Sequence, residues 1–186
     1  MCGILLIFSK KDYLNRKYCL NATKKIKSRG PDKLLKKFYF NDKLYIANSI
    51  LSITGKLKSK NDYLISSQTK NFDIAFNGQI FNWRELNKKY NLKKMSNDTY
   101  TLVNLLEQHN NNSILRKLNG MFAYCILDKK KRVINTATDP QGEKKLFYYN
   151  DKDYFIISST ISSILQVIRN KKKLNTNKIE EYFTTR

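Results

Sequence analysis

The chain has 186 residues, of which 41% are hydrophobic and 12% aromatic, and its formal net charge is +21. This length fits one domain with its own core, and the aromatic content excludes an intrinsically disordered chain. No apolar run approaches the roughly 18 residues of a transmembrane helix, so the sequence predicts no membrane-spanning helix and no membrane partner.

The first half of the chain alternates strand and helix patterns. Apolar residues spaced by four predict an amphipathic helix, which the Arg29-Gly30-Pro31-Asp32 segment ends. The Asn77-Gly78 pair predicts a turn that stops the preceding strand. Strands are predicted at 2–8, 35–40, 43–53 and 72–76, and helices at 12–27 and 83–90.

The second half begins with a helix capped by Ser96, with Asp98 in its first turn, where a negative charge suits the helix dipole. It continues to His109. A helical turn at 114–118, strands at 121–127, 132–137, 146–149 and 154–158, and helices at 161–168 and 176–183 follow. This order predicts an α+β fold of two antiparallel sheets flanked by helices. No domain boundary is indicated before 171–173, so we expect one domain over 1–173 and a separate segment at 174–186.

The positive charge comes mostly from lysines that are spread over many of these elements. An excess of Lys over Arg, with frequent Asn and Ile, is expected from an AT-rich genome. No RNA-recognition, zinc or helix-turn-helix signature accompanies the lysines. The sequence therefore predicts weak, salt-sensitive background binding and no specific nucleic-acid partner.

The three cysteines, Cys2, Cys19 and Cys125, are odd in number and have no metal-ligand spacing. This usage favours a reducing, cytoplasmic compartment. The isolated His109 argues against a Cys-His dyad and against a zinc site, so no metal ligands are predicted.

Cys2 is the residue with the clearest chemical meaning. A small residue after the initiator favours removal of Met1, and Cys2 would then begin the mature chain. A thiol with a pKa of about 8.5 and an α-amine with a pKa of about 7.7–8.0 would share one carbon. The amine can then act as the base for the thiol, which is the N-terminal-nucleophile arrangement. The alternative is a cysteine that merely begins a buried strand.

Further short motifs follow Cys2 in a fixed order, at 29–32, 77–82, 97–99, 118–123 and 139–148. Together with Met1-Cys2-Gly3-Ile4 they resemble the glutaminase domain of the class II glutamine amidotransferases. Within that class the chain is most similar to the N-terminal domain of the glutamine-hydrolysing asparagine synthetases. The Arg-Gly-Pro-Asp and Asn-Gly-x-Ile-aromatic-Asn forms are typical of that branch, and the resemblance covers essentially the whole chain.

The resemblance implies a four-layer αββα N-terminal-nucleophile hydrolase fold and hydrolysis of the glutamine side-chain amide. It implies that Cys2 is the nucleophile and that its amine shuttles the proton. Asn77 and the backbone N–H of Gly78 are expected to form the oxyanion hole. Without the resemblance, Asn77-Gly78 would be interpreted as a simple hairpin turn.

The residues expected to bind glutamine depart from the family pattern in two places. Asp98 is expected to bind the α-amine. The family's Arg-Leu-Ser-Ile segment, whose arginine binds the α-carboxylate, is matched by Ile50, Leu51, Ser52 and Ile53, so the arginine is replaced by Ile50. Gln79 stands where the family has glutamate. Lys56 or Lys58 could substitute for the arginine, although a lysine lacks its fork geometry.

Family members continue into an ATP-pyrophosphatase synthetase domain with a Ser-Gly-Gly-x-Asp-Ser loop, which is absent here. The segment 174–186 resembles the linker helix that leads into that domain. The resemblance therefore implies glutamine as substrate, a synthetase domain in cis or in trans as partner, and ATP and magnesium bound only in that domain. No cofactor is expected in this chain. The alternative function is a catalytically impaired relative with a binding or regulatory role, because Ile50 and Gln79 weaken the expected grip on the substrate.

Overall fold

The computed structural model describes residues 1–52, 64–92, 95–109, 111–168 and 175–184. The strands of this part are β1 (Gly3–Ser9), β2 (Lys33–Tyr39), β3 (Leu44–Ile50), β4 (Ile65–Ser66), β5 (Phe72–Ile80), β6 (Gly120–Asp128), β7 (Val133–Thr138), β8 (Phe147–Asn150) and β9 (Tyr154–Ser158). The helices are α1 (Arg16–Lys27), α2 (Trp83–Lys89), α3 (Asp98–Gln108), α4 (Asn111–Leu115), α5 (Ile161–Val167) and α6 (Thr176–Thr184). None of the helices in the described ranges has both the length and the apolarity needed to cross a membrane.

The strands form two sheets in which all paired strands are antiparallel. The five-stranded sheet has the order β2-β3-β1-β9-β8, and the four-stranded sheet has the order β4-β5-β6-β7. Helices α1 and α5 pack on the outer face of the first sheet, and α3 packs on β4 and β5 of the second. The inner faces meet where β1 and β3 contact β5. The predicted α+β fold with its αββα layers is confirmed.

Each sheet residue faces one of two apolar layers according to its position in the alternating strand. On β1, Leu5 and Ile7 pack toward α1 and α5 with the fully buried Tyr45. Ile4 and Leu6 face the other way, into the larger core between the sheets. This alternation explains why β1 is apolar throughout: both of its faces are covered.

Two helix starts differ from the sequence-based prediction because an asparagine caps each helix. Helix α1 begins at Arg16 and not at residue 12, since the Asn15 side chain accepts hydrogen bonds from the N–H groups of Lys17 and Tyr18. The predicted Ser96 cap of α3 is wrong by one residue, since the Asn97 side chain caps the N–H of Tyr100. Asn is as good an N-cap as Ser, so the residue types alone could not distinguish Ser96 from Asn97 as the cap of α3.

The predicted end of the strand at Asn77-Gly78 is wrong, because β5 continues to Ile80. Gly78 lies opposite Phe122 of β6 with a φ of +152°. A Cβ at this position would lie 2.1 Å from the carbonyl oxygen of Met121. The glycine therefore permits close approach of two strands and does not make a turn. The two-residue strand β4 was not predicted, and the helical turn predicted at 114–118 overlaps only the end of α4, which stops at Leu115.

Asp73 forms a buried polar network that joins the two sheets. Its carboxylate accepts hydrogen bonds from Tyr39 Oη at 2.6 Å, Ser66 Oγ at 2.6 Å and Lys129 Nζ at 2.8 Å. Burial opposes ionisation, but the hydrogen bonds from Lys129, Ser66 and Tyr39 outweigh it and hold the pKa of Asp73 below its usual range. Tyr39 belongs to β2 and Asp73 to β5, so the network links the sheets.

We expect Asp73→Asn to lower the free energy of unfolding by about 2–3 kcal/mol at pH 7, since it weakens a buried charge-assisted network. The pKa is lower in the folded chain, so the ionised group stabilises the fold above its unfolded pKa of about 4 and this contribution disappears as the pH falls through the folded pKa. Urea unfolding at pH 7 and in acid measures both effects. Asp12→Asn, at an exposed position, is the control; an equal loss in both variants would contradict the prediction.

Candidate active site

A cleft opens where β1 begins, β3 ends and α3 starts beside the last third of β5. The structure brings together at this cleft the predicted residues Cys2, Ile50, Leu51, Ser52, Asn77, Gly78, Gln79 and Asp98. Ile53, Lys56 and Lys58 lie outside the described residues. The other lining residues include Met1, Asn48 and Lys144, which the sequence alone did not assign to a site.

Cys2 is half-buried, and its sulfur lies against the backbone of Leu51. Sγ accepts a hydrogen bond from the N–H of Leu51 at 3.4 Å and donates to its carbonyl oxygen at 3.7 Å. Burial raises the pKa of the Cys2 thiol; the Leu51 N–H, the N-terminal ammonium and Arg29 counter it only in part. The thiol therefore keeps its proton at neutral pH and needs a nearby base to become a nucleophile.

The Arg-Gly-Pro-Asp loop between α1 and β2 holds the backbone on both sides of the thiol. Arg29 Nε donates to the carbonyl oxygen of Cys2 at 3.0 Å, and the Asp32 carboxylate accepts from the N–H of Ser52 at 2.7 Å. A Cβ on Gly30 would lie 2.5 Å from backbone atoms of Ile50, so only glycine fits against β3 here. These contacts give the loop a positioning role.

Along β5, the N–H groups of alternate residues point away from β6. The N–H of Phe76 donates to Asn48 Oδ1 at 3.0 Å, and that of Ile80 donates to Asp98 Oδ2 at 3.0 Å. Gly78 lies between these two. Its cross-strand partner Phe122 donates its N–H to Asp139 Oδ2 and accepts at its C=O from the N–H of Asp139. Hydrogen-bonded and non-hydrogen-bonded pairs alternate along an antiparallel ladder, so the N–H of Gly78 points away from β6. Gly78 is also one of the residues that line the cleft.

The side chain of Asn77 supplies a second donor beside Gly78. Asn77 is 1% exposed, and its Nδ2 has no hydrogen-bond partner among the described residues. A buried amide left unpaired costs about 1–3 kcal/mol, so native proteins keep such groups for a reason. An amide N–H and a backbone N–H at one cleft form a site for an oxygen that becomes negative during a reaction.

Asn48 joins the strand of the thiol to the strand of these donors. Its Nδ2 donates to the carbonyl oxygens of Gly3 at 2.9 Å and Phe76 at 3.1 Å, while its Oδ1 accepts from the N–H of Phe76. Gly3 follows Cys2, and Phe76 precedes Asn77. Asn48 thus fixes the spacing of the two strands across the sheets. This role could not be predicted from the sequence, since an asparagine inside a strand has no characteristic pattern.

Asp98 begins α3 and is 3% exposed. Its Oδ2 accepts from the N–H of Ile80, and its Oδ1 accepts from the N–H of Thr99 at 2.8 Å. Burial raises the pKa of Asp98, and these backbone hydrogen bonds counter it in part. A carboxylate has about four acceptor sites, so Asp98 can also receive an ammonium group in the cleft.

Ile50 is 8% exposed and presents only hydrocarbon to the cleft, and the neutral Gln79 lines it as well. The cleft therefore lacks the arginine and the glutamate that the family pattern places at these positions. Of the described lining residues, Lys144 has the only cationic side chain and Asp98 the only acidic one.

The other two cysteines lie away from the cleft. Cys19 is buried in α1 and Cys125 in β6, as their mid-helix and mid-strand positions predicted. Burial raises the pKa of each thiol to about 12. His109 ends α3 with its ring 4.7 Å from that of Tyr90. Of the described thiols, only Cys2 lines the cleft.

The family described as glutamine amidotransferase domain matches residues 1–186. The chain is 33% identical to a protein of Methanocaldococcus jannaschii that bears the provisional name asparagine synthetase (glutamine-hydrolysing) 2, in a match that covers 98% of this chain and 39% of the relative. It is 26% identical to the glutamine-hydrolysing asparagine synthetase 1 of Bacillus subtilis, over 99% of this chain and 29% of the relative. The chain thus spans less than half the length of these relatives.

Proposed function

The chain belongs to the glutamine amidotransferase domain family, and from that premise we propose that it hydrolyses the side-chain amide of glutamine to glutamate and ammonia. The observation that carries the proposal is the buried Nδ2 of Asn77, which has no hydrogen-bond partner in the described part of the chain and lies beside the Gly78 N–H on the cleft that Cys2 also lines. The test is release of glutamate and ammonia in equal amounts from L-glutamine by the purified protein.

The proposed reaction begins when the α-amine of Cys2 takes the thiol proton. Sγ attacks the side-chain carbonyl carbon of glutamine, and the oxygen becomes an oxyanion that accepts hydrogen bonds from Asn77 Nδ2 and Gly78 N–H. The ammonium form of the amine returns the proton to the departing nitrogen, which leaves as ammonia. Water then adds to the thioester with the amine as base, and glutamate departs as Sγ regains its proton.

We expect the mature chain to begin at Cys2, because the proposed base is the amine of that residue and is locked in a peptide bond while Met1 remains. Intact-mass analysis of protein purified from cells measures this directly. A mass that includes Met1, or an acetylated Cys2, would remove the base and contradict the mechanism. The expected mass is that of the chain without Met1 and with a free amine.

We further propose that the ammonia passes to an ATP-dependent synthetase domain, in cis or in trans, in the reducing cytoplasm. The names of the relatives and their greater length support this partner. On this view residues 1–173 form the glutaminase domain, and 174–186 begin the linker to the synthetase domain. Helix α6 exposes Ile179, Tyr182 and Phe183, which fits a segment that packs on another domain. ATP and magnesium would bind only in that partner domain.

The second candidate is a relative that binds glutamine poorly and acts in binding or regulation. Ile50 and Gln79 favour it, because both reduce the charge available to hold the substrate. A folded protein with a free Cys2 amine that releases no glutamate at high glutamine concentration would support this candidate over hydrolysis.

A further inference from the structure

Glutamine carries a carboxylate and an ammonium group, and the cleft needs a partner for each. Asp98 provides the negative charge, while Ile50 leaves the family's carboxylate-binding position without a positive one. A carboxylate placed in a half-buried cleft without a partner would bind poorly, because its desolvation is not offset. Lys144 is the cationic side chain that the described part of the cleft offers.

The ammonium group of Lys144 lies close to the first residue of the chain. Its Nζ lies 3.8 Å from Sδ of Met1, the residue bonded to Cys2. Lys144 is half-buried, and the ion pairs among the described residues do not include it. A thioether is only a weak acceptor, so the ammonium group can exchange it for a stronger one.

The backbone of Lys144 is tied to β6, the strand that pairs with the one carrying the proposed oxyanion donors. Asp139 accepts from the N–H groups of Lys144 at 3.1 Å, Glu143 at 2.9 Å and Phe122 at 3.2 Å. Phe122 is the cross-strand partner of Gly78. Asp139 therefore sets Lys144 at a constant position relative to the oxyanion hole.

We propose that Lys144 binds the α-carboxylate of glutamine in place of the arginine that is absent at position 50. The proposal rests on the proposed glutaminase function and names the substrate-binding residue of that site. Loss of Met1 removes the thioether that Lys144 contacts. The same cleavage that frees the amine of Cys2 thus also frees the carboxylate site.

Steady-state kinetics give the first test. Lys144→Met keeps the length of the side chain and removes its charge, and we expect it to raise KM for glutamine at least about tenfold, while kcat changes less than about twofold. The carboxylate is remote from the reacting amide and is held alike in the ground and transition states, which places the effect in KM. Lys144→Arg should keep KM near the wild-type value. Lys145→Met, at the exposed neighbouring position, is the matched control and should change neither constant.

Alkylation of Cys2 separates this proposal from turnover. The reagent 6-diazo-5-oxo-L-norleucine has the amine and carboxylate of glutamine, and its protonated diazo carbon is attacked by the thiolate with loss of dinitrogen. Iodoacetamide alkylates the same sulfur with loss of iodide but carries no carboxylate. In Lys144→Met the half-saturating concentration of the diazo reagent should rise at least about tenfold. The rate at which iodoacetamide alkylates Cys2 should not change. The double variant Lys144→Met, Ile50→Arg should again be saturated by the diazo reagent at the wild-type concentration.

Other outcomes would overturn the proposal in distinguishable ways. An unchanged half-saturating concentration in Lys144→Met would remove Lys144 from the site and leave glutamine hydrolysis standing. Slower reaction with both reagents would show that Lys144 supports the fold around Cys2. Unsaturable labelling of the wild-type protein, with no glutamate released, would refute the glutaminase function and this proposal together.

Discussion

Cys2→Ala should abolish glutamate release, by about four orders of magnitude or more, because no other group can form the thioester. Cys2→Ser should be nearly as inactive, since a hydroxyl is a far poorer nucleophile than a thiol with the same base. Both variants should stay folded, because the Cys2 side chain is half-buried at the margin of the core and its sulfur makes two weak hydrogen bonds with Leu51 in the described part of the chain. The assay is glutamate released from L-glutamine by protein whose N-terminus has been checked by mass.

The controls are the two cysteines of the core. Cys19→Ala and Cys125→Ala remove thiols whose pKa is likewise raised by burial but which lie outside the cleft. They should cost about 1 kcal/mol of stability each and leave kcat unchanged. A folded Cys125→Ala variant without activity would show that Cys2 is not the nucleophile.

Asn77→Ala should lower kcat by about 10²–10³, the usual effect of removing one oxyanion-hole donor. KM should change little, because the amide carbonyl becomes strongly hydrogen-bonded only as it gains negative charge. Thermal stability should be retained or slightly improved, since the substitution deletes a buried donor that has no partner in the described structure. The measurements are steady-state kinetics and thermal unfolding on the same preparation.

Asn48→Ala provides the contrast for this prediction. Asn48 is also a buried asparagine, on β3 of the facing sheet, but its amide makes three hydrogen bonds to Gly3 and Phe76. Its loss should lower stability and kcat together. If Asn77→Ala instead destabilised the protein as much as Asn48→Ala and left kcat intact, Asn77 would be a structural residue and the oxyanion hole would have to lie elsewhere.

Local physical chemistry in the sequence was enough to predict the fold class and to propose Cys2 as the nucleophile. Apolar periods of two and four residues depend only on which faces an element buries, so they predicted most strands and helices within a few residues. The order of the motifs placed the chain in its family, because a motif can be recognised along the sequence without knowledge of the contacts between residues. The helix starts at Asn15 and Asn97 were missed by small margins, since several residue types cap equally well.

Contacts between residues that are distant in sequence determined the features that local patterns did not predict. Asn77-Gly78 has the local signature of a turn, yet the β6 ladder and the Asn48 side chain keep it inside a strand. Lys144 lies 143 residues from Met1 in sequence, and the Asp139 turn brings it to the same cleft. No local pattern encodes such a meeting, because its geometry comes from sheet pairing and packing over the whole domain. Cys2 could therefore be proposed as the nucleophile from its own residue and its place in the chain, whereas the geometry of the proposed oxyanion donors and of the proposed carboxylate site depends on the assembled sheets.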